Sequence, residues 1–282
     1  MILVFGKTGQ VGRELSFFPN VFSLGRKDVS LLYPEDCANA IKRISPKAVI
    51  NAAAYTNVDL AENDEIQATI INAKAPEYMA RECLKLSIPF LQISSDYVFD
   101  GYGKRPQKPN DDVNPISAYG RSKLAGEILV INTGVQGLLL RTSWIFSPYG
   151  KNFVKTMIDL GRKSEEVRVV CDQIGGPTSA KSVAQICVNL VLNMINSKNL
   201  HGVYHFSGRD DVSWANFARE IFLQAKMNVK VIDLKSSEFK TKALRPTNSR
   251  LDCSSLEKEL GYIRPEWKLD LSEVLSFLKV TA

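Results

Sequence analysis

Three stretches of the chain carry residue types at spacings that could do redox chemistry on a carbonyl. Tyr119-Gly-Arg-Ser-Lys123 sets a phenol and an ammonium four residues apart. On a helix those two side chains share a face, so the lysine charge draws the tyrosine pKa below its ordinary value of about 10. A tyrosine tuned this way can give a proton to a ketone oxygen as hydride arrives at the carbon. Gln92-Ile-Ser94-Ser95-Asp96-Tyr97 supplies a second group, the Ser95 hydroxyl, able to hydrogen-bond the same oxygen. Gly6-Lys-Thr-Gly9-Gln-Val-Gly12 supplies the third part. Its glycines permit a tight turn and close backbone approach to a pyrophosphate, and the helix that follows offers free N–H groups to it. The spacing is G-x-x-G-x-x-G rather than G-x-G-x-x-G, but the physical logic is the same.

Cofactor choice should be written just after the second strand, where an acidic residue would bind a ribose 2′-hydroxyl. The stretch here is Phe22-Ser-Leu-Gly-Arg26-Lys27-Asp28. Two basic side chains that could neutralise a 2′-phosphate favour NADPH, with NADH as the alternative.

These stretches need a scaffold, and the chain alternates strand and helix patterns to provide it. Apolar runs at residues 2–5, 22–24, 48–50, 90–93 and 138–140 read as buried parallel strands. Between them, residues 11–17, 35–44, 65–86 and 118–132 read as helices. This pattern over the first half of the chain indicates a parallel sheet with helices on both faces. Residues 100–115, rich in Gly, Pro and Asp, form a long polar loop of the kind that is often functional. Ser94–Tyr97 fall at the carboxyl end of a strand, where active residues belong in such sheets. Beyond Pro148 the pattern becomes irregular, with strands at 167–170 and 229–232, and indicates a second, smaller domain.

Composition narrows the field of partners. The 282 residues are 45% hydrophobic and 23% charged, with no apolar run long enough for a membrane span. Lys and Arg outnumber Asp and Glu by 36 to 30, and residues 1–141 hold only 16 and 15 of these. Nearly all of the excess therefore lies in the second half, which suits an anionic ligand there. No dense basic run points to nucleic acid. The five cysteines are scattered with no C-x-x-C pair, so neither a zinc site nor a redox motif is indicated, and a reduced, cytoplasmic setting is expected. His201 and His205 have no third partner in the sequence for a metal.

Taken in order, seven segments resemble the extended short-chain dehydrogenase/reductase superfamily and, within it, the dTDP-4-dehydrorhamnose reductases. They are Gly6–Gly12, Asn51-Ala-Ala-Ala-Tyr-Thr-Asn-Val-Asp59, Ser94-Ser-Asp-Tyr-Val-Phe99, Tyr119-Gly-Arg-Ser-Lys-Leu-Ala-Gly-Glu127, Arg141-Thr-Ser-Trp-Ile-Phe146, Asp172-Gln-Ile-Gly-Gly-Pro-Thr178 and Arg245-Pro-Thr-Asn-Ser-Arg-Leu251. The resemblance implies an α/β fold: a Rossmann-type doubly wound parallel sheet with a smaller C-terminal α/β substrate domain. The expected division is a dinucleotide domain at 1–145, completed by 179–208, and a substrate domain at 146–178 and 209–282. The implied activity is NADPH-dependent reduction of the 4-keto group of dTDP-4-dehydro-L-rhamnose to dTDP-L-rhamnose. Reduction of another nucleotide-linked 4-keto sugar, or a non-catalytic regulatory subunit of the same fold, are the alternatives.

Residue by residue, the resemblance makes Tyr119 the general acid, Ser95 its hydroxyl partner (many members have threonine) and Lys123 the holder of the nicotinamide ribose. It matches Gly9, Gln10 and Val11 to the pyrophosphate turn, whose spacing already marks Gly6 and Gly12 as cofactor-binding, and Asp28 and Val29 to residues around the adenine, beside the Arg26 read above as a partner of the 2′-phosphate. It places Ala53, Ala54, Tyr55 and Ser94 along the rest of the cofactor. Asp96, Tyr97 and Trp144 match substrate-contacting positions. Arg245 is a candidate for the diphosphate of a nucleotide sugar. Dehydratases of the superfamily follow the strand-end hydroxyl with Asp-Glu, and Asp96-Tyr97 lacks that second carboxylate, which favours plain reduction. Asp59 and Glu62 read as a helix-start pair without a catalytic role, and Trp214 and Trp267 as core. Some members dimerise around magnesium held by acidic residues. Here the segment after Gly-Pro-Thr, Ser179-Ala-Lys181-Ser-Val-Ala-Gln185, has no carboxylate, and Glu14 alone cannot build an oxygen-rich shell. Monomer and homodimer both remain open, without metal.

Overall fold

The first apolar run forms β1 (Ile2–Phe5), and all four of its residues are buried. That pattern belongs to a parallel strand covered on both faces. In a computed structural model describing residues 1–196 and 200–280, it sits inside a six-stranded, wholly parallel sheet. Residues 197–199, within the expected return segment 179–208, and residues 281–282 lie outside the described residues.

Around β1 the chain lays down α1 (Gln10–Leu15), β2 (Val21–Leu24), α2 (Pro34–Ile44), β3 (Ala48–Asn51), α3 (Val58–Ala61), α4 (Glu65–Thr69), α5 (Ala75–Lys85), β4 (Phe90–Ser95), α6 (Ala118–Asn132) and β5 (Gly137–Thr142). Later elements are β6 (Ile145–Phe146), α7 (Phe153–Gly161), β7 (Glu166–Val170), β8 (Ile174–Gly175), β9 (Thr178–Ser179), α8 (Ala180–Asn196), β10 (Gly202–His205), β11 (Val212–Ser213), α9 (Trp214–Gln224), β12 (Lys230–Leu234), β13 (Asn248–Ser249), α10 (Ser254–Leu260) and α11 (Trp267–Phe277).

The large sheet has the order β10-β5-β4-β3-β1-β2. Its direction of winding reverses between β1 and β3, and in open α/β sheets the crevice at such a switch point, beyond the carboxyl ends of the strands, is where ligands bind. One face packs on α1 and α8 through Val11, Leu15, Val183 and Leu190. The other packs on α2 and α5 through Ile41, Met79 and Cys83. A separate core around Phe146, Phe217 and Trp267 joins α7, α9 and α11 with β7. Small sheets β11-β8-β13, β12-β7 and β6-β9 complete the second half.

Local sequence explains most of these elements. Pro34 opens α2, with Glu35 and Asp36 in its first turn and Lys42 and Arg43 in its last, as the helix dipole favours. Ser117 caps α6 by accepting a hydrogen bond from the Gly120 amide at 3.2 Å. The single helix expected over 65–86 is instead α4 and α5 joined by a π-helical turn at Ile70–Lys74. That turn presents Asn72, whose side chain bonds both backbone polar groups of Tyr55 (2.8 and 3.1 Å) and the Ser122 hydroxyl (2.9 Å). Single π-turns inside helices commonly mark such sites.

Candidate functional site

A cavity of about 770 Å³ opens at the carboxyl ends of the central strands. Its floor is the glycine turn between β1 and α1. Gly6 has φ of +107°, and a Cβ there would stand 2.8 Å from the Ala52 backbone. A Cβ on Gly12 would fall 1.9 Å from the Gly6 carbonyl oxygen. The turn therefore requires both glycines, one for its conformation and one for the close approach of α1. Gly12 lies behind the turn, while Gly6, Gly9, Gln10 and Val11 face the cavity. Gln10 also ties the turn to the second half: its Oε1 accepts hydrogen bonds from Ser147 Oγ (2.8 Å) and Asn152 Nδ2 (2.9 Å).

Arg26, Val29, Ala53, Ala54 and Ser94 line the same cavity. Asp28 and Tyr55, expected along the cofactor, are not among the residues that line the cavity. The Asp28 carboxylate accepts the Gly25 amide at 2.8 Å and fixes the turn after β2. Tyr55 is clasped through its backbone by Asn72. The cavity contains features that suit a dinucleotide. The glycine turn is a cradle, and the buried Ser94 Oγ, Thr142 Oγ1 and Asp96 Oδ2 at the ends of β4 and β5 lack hydrogen-bond partners among the described residues. Buried polar atoms left this way are costly unless something else meets them.

Ser95, Tyr119 and Lys123 meet at the end of β4 and all line the cavity. Helix α6 brings Tyr119 and Lys123 to one face, as its spacing requires. The Ser95 hydroxyl stands beside Tyr119 and donates to Asp96 Oδ1 at 2.9 Å. Lys123 is 3% exposed and donates to the Ile93 carbonyl at 2.7 Å. Burial draws its pKa down to about 8, with Glu127 opposing. Tyr119 differs from expectation: burial holds its pKa above the ordinary tyrosine range, outweighing the Ser95 hydroxyl, with Asp96 and Tyr97 adding to the rise. The Lys123 ammonium is turned to the Ile93 carbonyl and is not among the groups that shift Tyr119. Tyr119 is accordingly protonated at neutral pH. Burial likewise lifts Asp96 to about 6, outweighing the hydroxyls of Ser249 and Ser95.

Tyr97, Trp144 and Arg245 complete the cavity, and with them Trp214. Trp144 has φ of +48°, rare for a bulky residue, and its indole stacks on Trp214 with centroids 3.5 Å apart and planes at 10°. Trp214 is thus a cavity residue, whereas Trp267 is buried core as expected. An aromatic at the first position of α9 gave no signal that would have set it apart. Glu62 was also missed: its Oε1 accepts the Ala118 amide at 2.8 Å, at the first residue of the helix carrying Tyr119. The next turn is fixed by a two-point ion pair of Arg121 with Glu65, at 2.7 and 2.8 Å.

Away from the cavity, His205 is fully buried, its Nδ1 3.0 Å from the Gln107 carbonyl oxygen, and burial, with Arg141 adding, depresses its pKa to about 3. Arg141 pairs with Glu127 at 2.6 Å and donates to the Pro109 carbonyl at 3.1 Å. These contacts anchor the long loop to the sheet. Lys181 pairs with Glu273 at 2.5 Å near Glu14. No group of three or more His, Cys, Asp or Glu that could hold a metal ion occurs among the described residues, and none of their helices is long and apolar enough to cross a membrane.

Comparison with known proteins gives consistent findings. The chain matches the family model of the RmlD substrate binding domain over residues 1–280. It is 37% identical over 277 residues to the dTDP-4-dehydrorhamnose reductase of Sinorhizobium fredii, covering 95% of this chain and 94% of the relative. Its structure is similar to a crystal structure of a dTDP-4-dehydrorhamnose reductase from Clostridium acetobutylicum, with a TM-score of 0.93 at 37% identity and 99% of each chain covered. It is also similar to the Bacillus anthracis dTDP-4-dehydrorhamnose reductase in complex with NADP, with a TM-score of 0.92 at 33% identity over 99% of this chain and 98% of that one.

Proposed function

The chain belongs to the RmlD substrate binding domain family, and from that membership we propose that it is a cytoplasmic oxidoreductase using NADPH to reduce the 4-keto group of dTDP-4-dehydro-L-rhamnose to dTDP-L-rhamnose. The observation that carries this reading is the convergence of Ser95, Tyr119 and Lys123 in the cavity floored by the glycine turn. The curated relatives and the NADP-bound neighbour support the substrate and the kind of cofactor.

Gly6, Gly9, Gln10 and Val11 would hold the pyrophosphate, Arg26 the 2′-phosphate, and Ala53, Ala54, Ser94 and Lys123 the remainder. When bound, the dinucleotide supplies the hydride. The chain supplies the proton. Tyr119, protonated at neutral pH, would give its proton to the C4 oxygen, and Ser95 would turn its hydroxyl from the Asp96 carboxylate to donate to that oxygen and fix its position. The Lys123 ammonium would offset the negative charge left on the phenol oxygen. Trp144 and Tyr97 would flank the sugar, and Arg245 would meet the diphosphate. NADPH is favoured because the Asp28 carboxylate is committed to Gly25, leaving Arg26 as the charged side chain on that part of the cavity. The same reading assigns 1–145 with 179–208 to the dinucleotide domain, a division supported by β10 pairing with β5, and 146–178 with 209–282 to the substrate domain.

The test is NADPH oxidation with a panel of nucleotide-linked 4-keto sugars, run on the unaltered chain and on Tyr119→Phe. Turnover is expected with the dTDP-linked 6-deoxy-4-keto sugar and should fall by about a thousandfold in the variant while NADPH still binds. Turnover only with a sugar on another nucleotide would reassign the substrate. Unchanged turnover in Tyr119→Phe would remove the proposed acid.

A further inference from the structure

Asp59 sits in the second position of α3, where a carboxylate ordinarily serves the helix start. That task is already taken: Asn57 Oδ1 accepts the Leu60 amide at 3.1 Å. The Asp59 carboxylate leaves its own helix and reaches a segment far along the chain. Its Oδ1 accepts the Ala243 amide at 3.0 Å, and its Oδ2 accepts Arg245 Nη2 at 2.7 Å, 186 residues away. One carboxylate thereby clips both the backbone and the side chain of a single three-residue stretch.

Arg245 carries the contact inward. Its Nη1 donates to the Tyr97 hydroxyl oxygen at 3.2 Å. A guanidinium has donors only, so Tyr97 must be the acceptor in that bond, and its own O–H proton is left to donate elsewhere. The Tyr97 ring meets the Tyr119 ring edge-on, with centroids 5.4 Å apart at 78°. Tyr97 and Arg245 line the cavity, while Asp59 does not. The ion pair is partly exposed, 28% for Arg245 and 41% for Asp59. Pairs of that kind add little to stability, so stability does not account for this one.

We infer that Asp59 is a positioning residue: acting through Arg245, it orients the Tyr97 hydroxyl as a hydrogen-bond donor to a sugar or phosphate oxygen of the substrate beside the proton donor. The inference rests on the reductase reading for the identity of that substrate. It does not rest on it for the arrangement of the three side chains.

Asp59→Asn in the full chain keeps the size of the side chain and an acceptor oxygen for Ala243, and removes the charge that holds the guanidinium. The KM for the nucleotide sugar is expected to rise about tenfold, with kcat within about twofold. The KM for NADPH and the melting temperature should stay unchanged. Combined with Arg245→Ala, Asp59→Asn should add no further loss, because both changes break one chain of contacts. An unchanged or lower KM, or losses that add in the double variant, would overturn the inference. A crystal structure of Asp59→Asn tests it without any substrate. The Arg245 contact to Tyr97 should be lost, and its persistence would overturn the positioning role even where the reductase reading holds. If the unaltered chain turns over no sugar in the panel, that reading fails alone and the crystal structure decides this one.

Discussion

The cavity has one wall made of backbone and another made of side chains. Gly6 and Gly9 form the first, backed by Gly12 and shaped by chain atoms in contact over a few residues of sequence, with Ala52 just behind. Trp144, Trp214, Tyr97 and Arg245 form the second. There each group is held by another from a distant part of the chain: Trp144 by Trp214, Tyr97 by Arg245, Arg245 by Asp59. A backbone wall suits the part of a ligand that every dinucleotide shares, since N–H groups and a helix start recognise pyrophosphate whatever is attached to it. A side-chain wall suits the part that varies, because each contact can be altered without rebuilding the turn. The first wall should therefore fail as a unit and the second piece by piece.

Gly12→Ala is the sharpest way to break that contrast. The new methyl would need the space of the Gly6 carbonyl, and Gly6 cannot retreat because Ala52 lies behind it. Helix α1 or the turn must move. A loss of about 3 kcal/mol of stability and at least a hundredfold of NADPH affinity is expected, read by thermal melting and cofactor titration. A variant of normal stability that still binds NADPH would show that this wall tolerates local change, and the contrast would fall.

The two walls also differ in how legible they were. The glycine turn, the hydroxyl at the end of β4 and the Tyr-Lys pair on α6 could be read because each is local. A strand, a turn and a helix follow one another within a short span, and the period of a helix puts positions 119 and 123 together. Helix α6 was legible to its ends for the same reason, with Ser117 as its cap. What escaped depends on residues far apart. The π-turn at Ile70–Lys74 exists to present Asn72 to Tyr55 and Ser122, and Gly126 lets it approach, since a Cβ there would fall 2.0 Å from the Asn72 carbonyl oxygen. Nothing in the amphipathic pattern of 65–86 announces that. Asp59 and Glu62 have the look of an ordinary helix start, and only the fold brings Arg245 and Ala118 to them. The pKa of Tyr119 was misjudged in sign because spacing reveals a neighbouring charge but not the depth of burial, and burial wins here.

Trp214→Ala tests the second wall. It removes the stack beneath Trp144, a residue held at φ of +48°, together with a contact to the Phe153 ring centred 4.5 Å away. A partly buried aromatic lost from such a cluster should cost about 2 kcal/mol. The KM for the nucleotide sugar should rise about tenfold as Trp144 loses its support. The KM for NADPH should stay within about twofold, because the glycine turn is not disturbed. Steady-state kinetics in both substrates, with a melting curve, separate the outcomes. Parallel losses in sugar and cofactor would mean that the walls are coupled and that failure by pieces is the wrong description.

The smallest expected effect lies where the backbone wall borrows a side chain. Arg26 is exposed and lines the cavity just beyond β2. A charged side chain is the strongest means of telling a 2′-phosphate from a hydroxyl, and Arg26 is the one placed to do it. Asp28, the residue that could have favoured the hydroxyl, is tied to the Gly25 amide. Because Arg26 is solvated, its contact with a dianion is screened and worth on the order of 1 kcal/mol. Arg26→Ala should therefore raise the KM for NADPH about fivefold and leave the KM for NADH and kcat unchanged. The effect on NADPH should shrink as ionic strength rises, which a change in the turn itself would not produce. Equal losses with both cofactors would place Arg26 in the general architecture of the turn. No loss with either would leave the choice between NADPH and NADH to some other side chain of the cavity.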